Sequence, residues 1–250
     1  MAKIITIVNQ KGGVAKTTTT KNLGYGLVKK GLRVLLIDLD SQYNLGTGLG
    51  LDIDGSTKTI FSRFKGDAST KETIQHAHGL DIIPSNMVLK EFEHFNNPAK
   101  QVMLWKVLQE VGDEYDFILI DCPPSLADAT INGITAADYC IVPVDPELYS
   151  VEGIAQINTI VSELSDIRKS PLRGLLFVII KKDERISVKK EYEGQLREHL
   201  KNSIFKTCIR TDAKILESDS QQKPIQLFAP KSKAAQDYDA LASEVQEVCI

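Results

Sequence analysis

Short runs of aliphatic residues punctuate the chain at Ile4–Val8, Val34–Asp38, Asp81–Pro84, Phe117–Asp121, Tyr139–Val144 and Leu175–Ile180. Most are nearly continuous Ile, Leu and Val rather than alternating, which is the pattern of strands covered on both faces in a parallel sheet. Helix-length segments separate them. Thr17–Lys30 runs up to Gly31, a residue suited to the left-handed position after a helix. Ser69 with Glu72 has the spacing of a capping box, and Asn97 before Pro98 that of an N-cap and first helical position. Near the end, a helix over Ser232–Val248 sets Ala235, Tyr238, Leu241, Ala242, Val245 and Val248 on one face. This alternation predicts a single doubly wound α/β domain over 1–250, with a mostly parallel sheet and helices on both sides. Ligands of such sheets sit beyond the carboxyl ends of the strands.

Composition narrows the class without naming a chemistry. Over 250 residues, 42% hydrophobic and 25% charged content describe an ordinary soluble globular chain. Net charge is −3, so any nucleic-acid contact must come from a local basic patch. Cys122, Cys140, Cys208 and Cys249 form no CxxC pair, which argues against a zinc or cluster site and fits buried free thiols in a reducing compartment. No apolar run approaches membrane-spanning length, and no signal-like start precedes the first strand. The expectation is a cytoplasmic protein with no linker, repeat or low-complexity tract.

The first strand leads into NQKGGVAKTT and then a helix. Gly12 and Gly13 let the backbone turn so that successive N–H groups face phosphate oxygens, and the helix start adds its positive end. Lys16 supplies a charge for the β- and γ-phosphates, and the Thr17 hydroxyl a ligand for Mg²⁺. The segment Lys11–Thr18 is therefore read as a P-loop of an NTPase. The strict G-x-x-x-x-G-K-S/T pattern fails, because Gln10 and Ala15 stand at its glycine positions and Lys11 adds a second cation. A left-handed alanine costs ~1–2 kcal/mol, so Ala15 is expected in a right-handed or extended conformation.

Acidic residues close two apolar strands. Asp38 and Asp40 end VLLIDLD, and Asp121 ends FILID. A carboxylate at such a position facing a P-loop holds the hydration shell of Mg²⁺, which makes Asp121 the Walker B candidate and Asp38 a second metal candidate. Asp40 is placed to orient or activate the attacking water.

These segments together carry a resemblance. N-Q-K-G-G-V-A-K-T-T-T resembles the deviant Walker A loop, K-G-G-x-x-K-S/T, of the ParA/MinD family of ATPases. Ile37, Asp38, Asp40, Gln42 and Asn44 match the family's I-D-x-D-x-Q-x-N, with Ser41 where proline is usual, and Asp121–Leu126 resembles its Walker B segment. The likeness continues through Val142–Ile157 and Lys223–Val245, is weakest from about Asp52 to His78, and matches the ParA/Soj type best. It implies an ATPase using ATP and Mg²⁺, with Lys11, Gly12, Gly13, Val14, Ala15, Lys16, Thr17, Thr18 and Pro230 at the nucleotide. Thr17, Asp38 and Asp121 would serve the metal. Lys11, Lys16 and Asp40 would serve catalysis, Lys11 by reaching across an ATP-dependent homodimer to the partner's nucleotide.

Lys181, Lys182, Arg185, Lys189 and Lys190 cluster after the strand Leu175–Ile180, with Lys206, Arg210 and Lys214 on later segments. Interleaved Asp183, Glu184, Glu191 and Glu193 are also what a solvated helix face looks like. The resemblance changes that weighting, since ParA-type ATPases hold nonspecific DNA as ATP-bound dimers. It maps DNA contacts onto Arg185 and Lys214, and implies a ParB-type centromere-binding partner and association with the nucleoid. With the loop near residue 11, the N-terminal helix-turn-helix domain of longer relatives is not expected. A MinD-like membrane-associated positioning ATPase is the alternative. The acidic ending ALASEVQEVCI is a poor match to the basic amphipathic helix it would need, so no membrane contact is expected.

Overall fold

The structure, a computed structural model, describes residues 1–147, 150–168 and 171–249. Its strands are β1 (Lys3–Ile7), β2 (Val34–Asp38), β3 (Gln75–Ala77), β4 (Leu80–Ile83), β5 (Phe117–Asp121), β6 (Tyr139–Val144), β7 (Gly174–Lys182) and β8 (Ile204–Arg210). The helices before β5 are α1 (Lys16–Val28), α2 (Asn44–Thr47), α3 (Ile60–Lys65), α4 (Thr70–Thr73) and α5 (Met103–Val111). After it come α6 (Asp128–Ala136), α7 (Ser150–Glu163), α8 (Ser187–Leu200), α9 (Lys214–Ser220), α10 (Ile225–Phe228) and α11 (Lys233–Val248).

The strands form one sheet in the order β3-β4-β2-β5-β1-β6-β7-β8, and only the β3–β4 edge pair among the described residues is antiparallel. The continuous apolar runs are explained by burial on both faces. Leu35, Ile37, Ile118, Ile120 and Val142 point to one core layer, while the alternate Leu36, Leu119 and Ile141 point to the other, under α1 and α11. Gly26 lets α1 approach α11 closely, because a Cβ there would lie 2.9 Å from that of Ala242.

The expected caps hold where they are local. Ser69 and Glu72 form the capping box of α4, and Ser232 Oγ accepts from Ala235 N at the start of α11. Tyr238, Leu241, Ala242 and Val245 are buried as expected, whereas Val248, in the last position of the helix, is exposed. Asn97 and Pro98 are not the N-cap and first position of a helix but form the turn that leads into a 3-10 helix at Lys100–Val102, which runs on into α5. Asn97 Oδ1 accepts from Ala99 N (2.8 Å), closing that turn, and in the first turn of α5 Leu104 N donates to Asn132 of α6. The strands β3 and β8 escape the apolar pattern because each is an edge strand, and polar residues face outward in IFKTCIR.

Candidate functional site

The register of the sheet assembles the site. β1 and β2 flank β5, with Ile7 opposite Asp121 and Asp38 opposite Asp121, so the loop after β1 and both carboxylates lie at one end of the sheet. Asp38 and Asp121 are completely buried. The Thr17 hydroxyl donates to Asp121 Oδ2 at 2.6 Å, and the Thr20 hydroxyl lies 3.3 Å from Oδ1. Asp38 accepts from the backbone N–H of Asp40 (2.9 Å) and of Leu45 (3.2 Å), and Asp40 accepts from Gln42 N (2.9 Å).

Burial pushes both buried carboxyls above the usual carboxylate range. For Asp38 the adjacent Asp121 adds to the rise, while for Asp121 the Thr17 hydrogen bond and the Lys16 ammonium oppose it. Two crowded carboxylates beside a hydroxyl form a site that a divalent ion would relieve. The described residues contain no cluster of three or more His, Cys, Asp or Glu able to hold a metal. The donors present, two carboxylates and the Thr17 hydroxyl, are all oxygens and fit a hard cation that keeps water and phosphate oxygens among its ligands, the habit of Mg²⁺.

The loop itself is open. Gly13 has φ 71°, and a Cβ on Gly12 or Gly13 would meet nothing within 4 Å, which leaves the space that phosphates need. Val14 is buried and anchors the loop in the core. Ala15 corrects the sequence-based expectation: it is left-handed, φ 57° and ψ 33°. The reason is closure of the loop onto α1, since Ala15 O must accept from Thr19 N (2.8 Å) while the chain reverses at Gly13.

The two lysines of the loop diverge. Lys16 is buried, its ammonium 3.2 Å from the carbonyl of Lys11, and desolvation lowers its pKa while Asp121 pulls the other way. The Lys11 side chain is exposed and its ammonium pairs with Glu147, just beyond β6. Glu147 holds it but was not singled out by the sequence reading; its only sequence signal is its place after a strand neighbouring β1.

Beside Gly13, Ala15 and Thr18 opens a cavity of about 380 Å³ walled by Ile180, Ile209, Ile215, Leu216 and Tyr238. Its size and apolar walls suit a purine base. Pro230 is exposed in the turn before α11 and does not line it.

A second cleft, about 640 Å³, gathers Arg185 and Lys214 with Lys182, Arg210, Lys231 and Lys233. Arg185 is exposed and pairs with Asp183, whose carboxyl it holds down at about 2; Lys214 pairs with Glu217 (2.6 Å). Arg210 is committed to Asp237 by paired hydrogen bonds. Lys189 turns inward to the buried Asp145 at 2.7 Å, whereas Lys181 stays half exposed and reaches the same carboxylate only at 3.7 Å. Lys231 and Lys233, in the PKSK segment, were not singled out by the sequence reading. The cysteines are free thiols, with Cys122, Cys140 and Cys249 buried and Cys208 partly so. Among the described residues, no helix is long and apolar enough to cross a membrane.

Known proteins match this chain along most of its length. A family model described as an AAA domain matches residues 2–173. The sporulation initiation inhibitor protein Soj of Bacillus subtilis is 36% identical, with 98% of each chain covered. The chromosome partitioning protein ParA of Myxococcus xanthus is 33% identical, covering 99% of this chain and 89% of that one. A crystal structure of cobyrinic acid a,c-diamide synthase from Mycobacterium smegmatis, with bound ATP analog and magnesium, superposes with a TM-score of 0.86 at 27% identity. It covers 99% of this chain and 95% of that one. With a family model over residues 2–173 and relatives at this identity over nearly the whole chain, the chain belongs to the ParA/Soj family of chromosome-partitioning P-loop ATPases.

Proposed function

We propose that this protein is a DNA-partitioning ATPase of plasmids or chromosomes whose ATP-bound homodimer holds nonspecific DNA. It releases that DNA when a ParB-type centromere-binding partner stimulates a weak ATPase, and it works in the cytoplasm on the nucleoid. The observation that carries this reading is the divergence of the two lysines over one Thr17–Asp121 pair. Lys16 stays inside the loop, while Lys11 leaves it and pairs with an exposed carboxylate. A loop serving only its own nucleotide has no use for the outward cation.

In this reading the backbone of Gly12–Thr18 and the Lys16 ammonium bind the phosphates, with the base in the apolar cavity under α9. Thr17, Asp38 and Asp121 would hold Mg²⁺, directly or through water, and the ion would supply positive charge to offset that of the phosphates. Asp40, on a turn held by Asp38, orients water and takes its proton. Lys11 exchanges Glu147 for the partner's phosphates when two subunits close. An exposed pair of that kind is worth about 0–1 kcal/mol, so it delays the exchange very little. Partition, rather than another chemistry on the same fold, is favoured by the names of the full-length relatives.

The test is retention on nonspecific DNA. ATP, but not ADP, should produce it, and it should weaken steeply with added salt. Equal retention with both nucleotides, or none with either, would overturn the reading.

A further inference from the structure

Lys21 lies one turn along α1 from Thr17, and its side chain is only 3% exposed. Its ammonium donates to the Asp219 carboxylate on α9 and to the Gly48 carbonyl at the end of α2 (3.3 Å). Asp219 borders two spaces. On one side is the apolar cavity walled by Ile215 and Leu216; on the other is a polar cavity of about 480 Å³ that Thr17, Asn44 and Gly48 also line. Helix α2 follows directly on the Asp40 turn and is tied to it, because Asp38 accepts from both Asp40 N and Leu45 N. A nearly dehydrated ammonium is costly unless its charge is met, and here both groups that meet it belong to other elements. Any shift of α9 away from α2 would strip Lys21 of a partner. The two helices are thereby held in register across α1.

We propose that Lys21 is a positioning residue that makes the placement of α2, and through it of Asp40, depend on whether a nucleoside base fills the cavity under α9. The inference rests on the reading of that cavity as the base site and of Asp40 as the hydrolytic carboxylate. Phosphates alone would occupy the loop without setting α9; a base would set α9, and Lys21 would carry that setting to Gly48.

Hydrogen exchange distinguishes the two ligands without inviting an ATP dimer. The wild type, Lys21→Met, Lys21→Arg and Asp219→Asn are each saturated with Mg·ADP or with Mg·pyrophosphate. In the wild type, ADP should slow exchange over residues 43–48 by about threefold more than pyrophosphate does. In Lys21→Met and Asp219→Asn that excess should vanish at 43–48 yet persist at 214–220, and Lys21→Arg should restore it. In Lys21→Met kcat for ATP should fall by about fivefold to tenfold, with KM changed by less than about twofold. Excess protection that survives at 43–48 in both uncoupling variants, is lost alike from both segments, or is missing from the wild type overturns the inference. If neither ligand slows exchange over residues 11–18 in the wild type, the nucleotide-site reading itself falls, and the inference with it.

Discussion

The hydroxyl of Thr17 donates to the fully buried carboxylate of Asp121 across 2.6 Å, joining the first turn of α1 to the end of β5. Asp38 is paired opposite Asp121 on the neighbouring strand, and burial raises the pKa of both. The crowding stresses the pair, and a bound cation would relieve that stress.

That stress has a definite sign with pH. Both carboxyls hold protons in the folded protein to higher pH than the ~3.9 of an unfolded Asp. Metal-free stability should fall as pH rises from that value, and the loss is complete above the folded pKa values. Asp121→Asn should flatten this dependence and raise metal-free stability at pH 8 by about 1–2 kcal/mol, while weakening Mg·ADP binding. Urea melts at pH 5 to 8 with a chelator, and ADP titrations with Mg²⁺, measure both. A less stable Asp121→Asn protein at pH 8 would contradict the account.

Ala15 is left-handed at φ 57°. Glycine adopts that conformation without the Cβ clash, so Ala15→Gly should stabilise the metal-free protein by about 0.5–1 kcal/mol. Thermal melts check this; unchanged or lower stability would mean that the alanine methyl packs well enough to offset the strain.

Lys11 and Asp40 should separate assembly from chemistry. Lys11→Ala should keep Mg·ADP affinity within about threefold but lose the ATP-induced dimer in light scattering. Asp40→Ala should keep the dimer and lower kcat by about 10²-fold or more. A dimer missing from Asp40→Ala would move that carboxylate from hydrolysis to assembly.

The basic cleft predicts a salt signature. Arg185→Ala and Lys214→Ala should each weaken DNA retention and reduce the slope of log affinity against log salt by about 1, with ATP binding unchanged. Lys231→Ala should act the same way, because it lines the same cleft, whereas Arg210→Ala should also destabilise the fold by removing the partner of Asp237. Loss of ATP affinity in parallel with DNA affinity would show that the cleft serves the nucleotide instead.

Much of the site is legible in the sequence, because its chemistry is local. The glycines, Lys16 and Thr17 lie within one loop, and Asp38 and Asp121 each end an apolar run whose two-sided burial the residues already announce. Short-range backbone and hydrogen-bonding preferences act over a few residues, so a capping box such as Ser69–Glu72 reads correctly from spacing. What only the tertiary structure decided depends on residues distant in the chain. Loop closure onto α1 overrode the local preference of Ala15, and Asn132 of α6 satisfied the free N–H of Leu104 in the first turn of α5. Lys11 met Glu147 across 136 positions, and Lys21 met Asp219 across 198. Lys189, read as surface charge, turned inward to Asp145. In each case the deciding partner is brought near by sheet order and helix packing, which no local propensity encodes.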